Sequence, residues 1–193
     1  MEYEHVVHGF DPVFDKNSRI LVLGSLPSVK SREQQFYYGH PQNRFWKVIA
    51  EITESTVPET IEQKKALLLN NGIAIWDVIA ECDIAGSSDS SIRNVIPTDI
   101  AAILKGSDIT AVFTNGGTAT RIYRKYQLPL TGIEPVQLPS TSPANAAWSL
   151  ERLISAWSSA LTRALTGSPG LTPPVPAAGS RLHQKLTRFS LSD

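Results

Sequence analysis

The sequence predicts an α/β fold built on a four-stranded, mainly parallel sheet. Apolar runs near residues 19–24, 72–77, 109–114 and 134–138 read as buried strands. Helical patterns lie between them, and strands that alternate with helices form a parallel sheet with right-handed crossovers. A third observation concerns the loops. Segments 24–42, 77–92, 115–118 and 138–145 all leave the carboxyl ends of those strands. Ligands of α/β sheets bind at that edge, so these loops should converge on one cleft.

The elements follow in order. "RILVLGS" (19–25) is an apolar run ending in glycine, preceded by the turn-like "DKNS". A looping segment occupies 26–42. "NRFWKVIAEI" places apolar residues at 45, 46, 48, 49 and 52, a helical spacing with Asn43 as N-cap. A helix is expected over 58–70, with Pro58 in its first turn and "NNG" as its stop. "GIAIWDVI" (72–79) begins as a strand. "CDIAGSSDSSIRNV" is small and polar and reads as a loop. "PTDIAAILKG" (97–106) reads as a short helix capped by Thr98. Residues 108–126 repeat the strand, glycine turn and helix, and 133–165 do so again, ending in a long helix.

At 193 residues, with 41% hydrophobic, the chain suits one domain over 1–165. Residues 166–193 are rich in Pro, Gly and Ser, which predicts a flexible tail. No apolar run reaches the roughly 18–20 residues of a membrane span. The N-terminus lacks the apolar core of a secretion signal. Cys82 is the only cysteine, which excludes internal disulfides and fits a reducing cytoplasm. The histidines are scattered, so no metal site is expected. No G-x-G-x-x-G or Walker loop appears, so no nucleotide cofactor is expected. Lys and Arg number 18 against 18 Asp and Glu, so bulk charge does not announce a nucleic-acid binder.

Several stretches carry candidate chemistry. In "GSLPS" (24–28), Gly24 permits close approach, and Ser25, Ser28 and exposed amides can hold a polar ligand. Taken alone, the motif is better read as an ordinary strand-to-loop turn. "LPSTSPANA" (138–146) sets small hydroxyl residues before a helix, where free N–H groups can meet a phosphodiester. Helix capping by Ser142 or Asn145 explains only part of that run. "YYGHPQNRFW" (37–46) is too aromatic for a connector. Phe45 and Trp46 belong to a buried helical stripe. Tyr37, Tyr38 and Asn43 suit a site that sandwiches a planar heterocycle, and His40 suits a phosphate contact or, equally, a catalytic or structural role. Asp77 ends a strand as a polar-site candidate or a loop cap. For Asp83, Asp89 and Arg93 the solvated reading is favoured. Asn115 in "TNGG" reads first as a turn residue.

In this order, "GSLPS", "YYGHPQNRFWKVI", "GIAIWDVI" and "LPSTSPANA" resemble the signature of the uracil-DNA glycosylase superfamily. "GHPQNRFWKVI" is similar to mismatch-specific uracil-DNA glycosylases. The pairing of "GSLPS" with "SPANA" looks most like the hypoxanthine-DNA glycosylase branch. The likeness spans about residues 15–160. It implies a three-layer α/β/α domain that cleaves the N-glycosidic bond of a deaminated base in DNA, without metal or cofactor. A base inside a duplex is unreachable, so it must be flipped into a pocket.

The resemblance also implies roles. Tyr38 matches the aromatic that stacks on the flipped base. Gly24 and Ser25 match the pocket floor; Asp77, from its place at a strand's carboxyl end and not from the resemblance, is a further candidate base contact. Residues Ser140, Thr141, Ser142 and Asn145 match the loop that grips phosphates, with Ser142 or Pro143 as a small wedge. Relatives usually carry Asp or Asn where this chain has Leu26, which has no donor or acceptor. In the hypoxanthine branch the asparagine at the position of Asn43 looks to take over, placing a water. The expected partner is DNA, met by a monomer in the cytoplasm or wherever the DNA lies. Two other readings stand beside this one: uracil as the base, or non-catalytic binding of DNA or a nucleobase.

Overall fold

The protein, as a computed structural model, is described over residues 2–86 and 88–166. The expected tail lies outside the described residues from 167 on. The chain opens with β1 (Glu4–Val7) and β2 (Ile20–Gly24). Three helices follow, α1 (Val29–Gln34), α2 (Phe45–Ile52) and α3 (Ile61–Asn70). Then come β3 (Ile73–Asp77), β4 (Ile79–Ile84) and β5 (Arg93–Pro97). The remainder is α4 (Ile100–Lys105), β6 (Ala111–Asn115), α5 (Gly117–Tyr126), α6 (Leu128–Thr131), β7 (Val136–Leu138) and α7 (Leu150–Thr166).

The central sheet has the order β3-β2-β6-β7 and every neighbouring pair is parallel. These are the strands that the apolar runs predict. The run "ILVLG" is apolar throughout because both of its faces are covered. Ile20 and Val22 join a core with Phe45, Ile49, Leu68 and Trp157 from α2, α3 and α7. Leu21 and Leu23 join a second core with Ile100, Ile103, Ile122 and Tyr123 from α4 and α5. Helices on both faces make three layers. Each fully buried Leu or Ile contributes about 1.5–3 kcal/mol.

Several local expectations are corrected. Segment 77–92 is not a loop throughout: Ile79–Ile84 form a strand. β4 pairs with β1 and β5 in a three-stranded antiparallel sheet, order β1-β4-β5. In β4, Ile79, Cys82 and Ile84 are buried while Glu81 and Asp83 are partly exposed. Small and charged residues hid that pattern, and Arg93, expected in the loop, opens β5. Segment 26–42 contains α1, capped by Ser28, whose Oγ accepts from Ser31 N–H. The helix expected from Pro58 starts at Ile61, where Thr60 and Gln63 cap each other reciprocally. Asp99, not Thr98, caps α4. Thr98 is buried and donates from Oγ1 to Asp77 O at 2.8 Å. The last helix begins only at Leu150, so neither Ser142 nor Asn145 caps it.

Candidate active site

A cavity of about 420 Å³ opens beyond the carboxyl ends of the parallel strands. Small-ligand sites span roughly 300–1,000 Å³. Gly24 from β2, Asp77 from β3, Asn115 from β6 and Ser140 after β7 all line it. The loop before α2 adds Tyr38, His40 and Asn43, and the β4–β5 connection adds Gly86 and Asp89. The loops therefore meet in one cleft, as the strand order requires.

One wall is a chain of amides. The N-cap of α2 is Arg44, not Asn43 as expected, but Asn43 Oδ1, one residue earlier, accepts from Phe45 N–H at 3.0 Å. The same oxygen accepts from Thr141 Oγ1 at 3.0 Å. Thr141 Oγ1 in turn accepts from Asn115 Nδ2 at 2.9 Å, and Thr141 N–H donates to Asn115 Oδ1 at 2.9 Å. Backbone N–H groups at both ends fix which way each amide points, since a donor needs an oxygen. Both lone pairs of Asn43 Oδ1 are thereby occupied. The group that Asn43 can offer the cavity is its Nδ2, a donor. Asn115 sits at a sharp turn where Gly116 has φ +97°, and a Cβ there would lie 3.1 Å from Ser140 Cβ.

Arg44 anchors this wall from behind. Its guanidinium donates to the carbonyls of Thr141 (3.2 Å), Ser142 (2.5 Å), Asn145 (3.1 Å) and Trp148. Its backbone N–H also donates to Thr141 O at 3.1 Å. A planar fork of donors suits such a cluster of carbonyls, which lysine cannot match. The irregular loop after β7 is thus tied to the start of α2.

The opposite wall holds Asp77, Gly24 and Tyr38. A Cβ at Gly24 would lie 2.2 Å from Asp77 Oδ1, so only glycine lets this carboxylate cross the floor. Asp77 Oδ2 is bound at 2.9 Å by His8 Nε2, and the two side chains are 6% and 4% exposed. Tyr38 adopts φ +53°, a left-handed conformation that costs a bulky residue roughly 1–3 kcal/mol. One of its faces stacks on Phe45, with centroids 3.8 Å apart. Its hydroxyl is buried without a hydrogen-bond partner among the described residues, about 3.5 Å from the Gly24 Cβ position. Burial, reinforced by the Asp77 charge and opposed by the Asn115 amide, raises its pKa. The phenol therefore stays protonated and can donate.

The sequence-derived candidates divide. Ser25, Ser28, His40, Ser140 and Ser142 line the cavity. His40 Nδ1 accepts from Gln42 N–H at 3.2 Å, which sets its ring. Thr141 was expected to contact DNA, yet it is fully buried and is a strut between two asparagines. Asn145 was expected there too, yet it does not line the cavity and donates Nδ2 to Ser140 O at 2.9 Å. Its role is to brace the loop. Tyr37 is core, with its hydroxyl donated to Asp11 O at 2.8 Å. Asp89 is exposed, as expected, and also lines the cavity. Sequence reasoning missed His8, Arg44 and the cavity-lining Lys30 and Arg32. Arg44 stood inside a quoted motif, but nothing in its spacing revealed four carbonyls some hundred positions away.

Comparison with known proteins agrees with this fold. The family model described as the uracil DNA glycosylase superfamily matches residues 12–161. A "Hypoxanthine DNA glycosylase" from Methanosarcina acetivorans is 34% identical over 148 residues, covering 76% of this chain and 93% of the relative. One from Methanosarcina barkeri is 34% identical over 160 residues, covering 80% and 98%. The solution NMR structure of a candidate uracil DNA glycosylase from Methanosarcina acetivorans superposes with a TM-score of 0.70 at 34% identity. It covers 81% of this chain and 96% of its own.

Proposed function

The chain belongs to the uracil DNA glycosylase superfamily, and from that premise we propose that it excises a deaminated base, hypoxanthine foremost, from DNA. The observation that carries this reading is the doubly occupied oxygen of Asn43, which leaves a fixed amide donor at the cavity. The flipped base lies against the open face of Tyr38, whose other face rests on Phe45. Asp77 Oδ1 meets its polar edge.

The reaction breaks the bond between C1′ and the base nitrogen. The electron pair leaves with the base, and C1′ becomes oxocarbenium-like, as in other glycoside cleavages. Water then adds to C1′ and its proton passes to solvent or to the departing base. Asn43 acts as the catalytic residue by donating from Nδ2 to the water oxygen, which keeps a second lone pair for C1′. An amide is too weak a base to remove the proton, so its contribution is placement. Neither metal nor cofactor enters this scheme. Ser28, His40, Ser140 and Ser142 form a rim that meets the phosphodiester, with Lys30 and Arg32 supplying local positive charge. The protein acts as a monomer wherever the DNA lies.

The test is base release from DNA bearing a single hypoxanthine, uracil, xanthine or ethenoadenine. Abasic product from hypoxanthine, formed fastest, is expected. Faster release of uracil would reassign the substrate. Salt-sensitive DNA binding without any abasic product would leave only a binding module.

A further inference from the structure

His8 lies outside every motif quoted above and outside the cavity lining, yet its side chain is only 4% exposed. Strand β1 delivers it to the site. Val7 pairs with Glu81, and His8 N–H donates to Ala80 O at 2.7 Å. Further along, Val13 bridges Ile75 in β3. The segment between these anchors passes the carboxyl end of β3. The ring is boxed by Phe10, Tyr37 and Trp76, with centroids 4.5, 6.0 and 6.4 Å away. From this box Nε2 reaches Asp77 Oδ2 at 2.9 Å. A carboxylate only accepts, so Nε2 carries the proton in this bond. Asp77 is also held through its backbone, by Thr98 Oγ1 at 2.8 Å. The second carboxylate oxygen, Oδ1, crosses Gly24 at the cavity floor.

We propose that His8 is a specificity-positioning residue: by holding one oxygen of Asp77 it fixes the other as an acceptor that reads the lactam N–H of the flipped base. This inference rests on the glycosylase reading and names the chemical feature that the site recognises. Deamination of adenine converts N1 from a lone pair into an N–H. Deamination of cytosine does the same at N3. A fixed carboxylate oxygen attracts the N–H and repels the lone pair, and a site built for such a bond strongly rejects a base that lacks it. Guanine and thymine keep such an N–H. This contact therefore sorts adenine and cytosine from their deamination products, and leaves other exclusions to the cavity walls. A freely rotating carboxylate would sort less well, because it could turn aside at little cost.

The experiment measures single-turnover release of hypoxanthine and of 1-deazahypoxanthine, whose N1–H is replaced by C–H. Wild type, His8→Leu, His8→Asn and His8→Gln are compared, each with its melting temperature. The hypoxanthine-to-deaza rate ratio should fall about tenfold in His8→Leu, the worth of one well-placed hydrogen bond. It should recover in His8→Gln, whose amide N–H can reach Asp77. A purely structural loss would slow both probes alike and leave the ratio unchanged. If His8→Leu does not fold, His8→Asn decides, since its shorter amide stops short of Asp77 and should lower the ratio too. An unchanged ratio in the folded variants, with hypoxanthine still released, overturns the inference alone. No hypoxanthine release by the wild type overturns the glycosylase reading as well.

Discussion

The two walls of the cavity are both hydrogen-bonded, but different things hold them. The Asn43 wall is polarised by backbone: Phe45 N–H and Thr141 N–H fix two amides, and Thr141 Oγ1 links them. The Asp77 wall is polarised by one buried side chain, His8. The first presents a donor and the second an acceptor. A backbone lock is hard to remove by substitution, whereas a side-chain lock is one codon from loss. Rate should therefore fall less on changes around Asn43 than on loss of Asn43 itself, and base choice should be sensitive to changes around Asp77.

The largest effect is expected from Asn43→Ala. It removes the donor that faces the cavity, and loss of one preorganised donor at a reacting centre costs about 10²–10³ in rate. Single-turnover release should fall by that factor while DNA binding persists. An unchanged rate would strip Asn43 of its catalytic role.

Arg44→Lys comes next. A point charge cannot satisfy four carbonyls, so the loop after β7 should loosen. A stability loss of about 2–4 kcal/mol is expected in denaturant unfolding. Base release should weaken as the loop moves away from Asn43. Stability equal to wild type would show that the loop holds itself.

Thr141→Val should have the smallest effect. It leaves Asn115 Nδ2 without its partner and Asn43 Oδ1 with one donor instead of two. The expected loss is about 1–3 kcal/mol. Because Phe45 N–H still fixes Asn43, release should fall only about tenfold or less. Thr141→Ser should restore both. A larger loss of rate than in Asn43→Ala would mean that the link, not the amide, matters.

The central sheet was legible because its strands are covered on both faces and so carry continuous apolar runs. The small antiparallel sheet was not. Every second residue at the centre of β4 is charged (Glu81, Asp83), and β1 lies in an acidic N-terminal stretch whose partner is some eighty positions away. The Asn43 wall was partly legible, since the resemblance to known glycosylases singled out its motifs. What the residues could not reveal was that Thr141 is buried between Asn43 and Asn115, which turns an expected DNA contact into a strut. His8 gave no signal at all. A histidine beside a glycine near an N-terminus has no distinguishing pattern, and only the antiparallel pairing of β1 with β4 brings it to Asp77.

The most direct measurement is single-turnover release of hypoxanthine from a defined duplex by the full-length protein, beside uracil, xanthine and ethenoadenine duplexes. An alkali-labile abasic site should appear in the lesion-bearing strand fastest from the hypoxanthine duplex, and Asn43→Ala should nearly abolish it. Intact strands from every lesion, with the protein folded and DNA bound, would contradict the account.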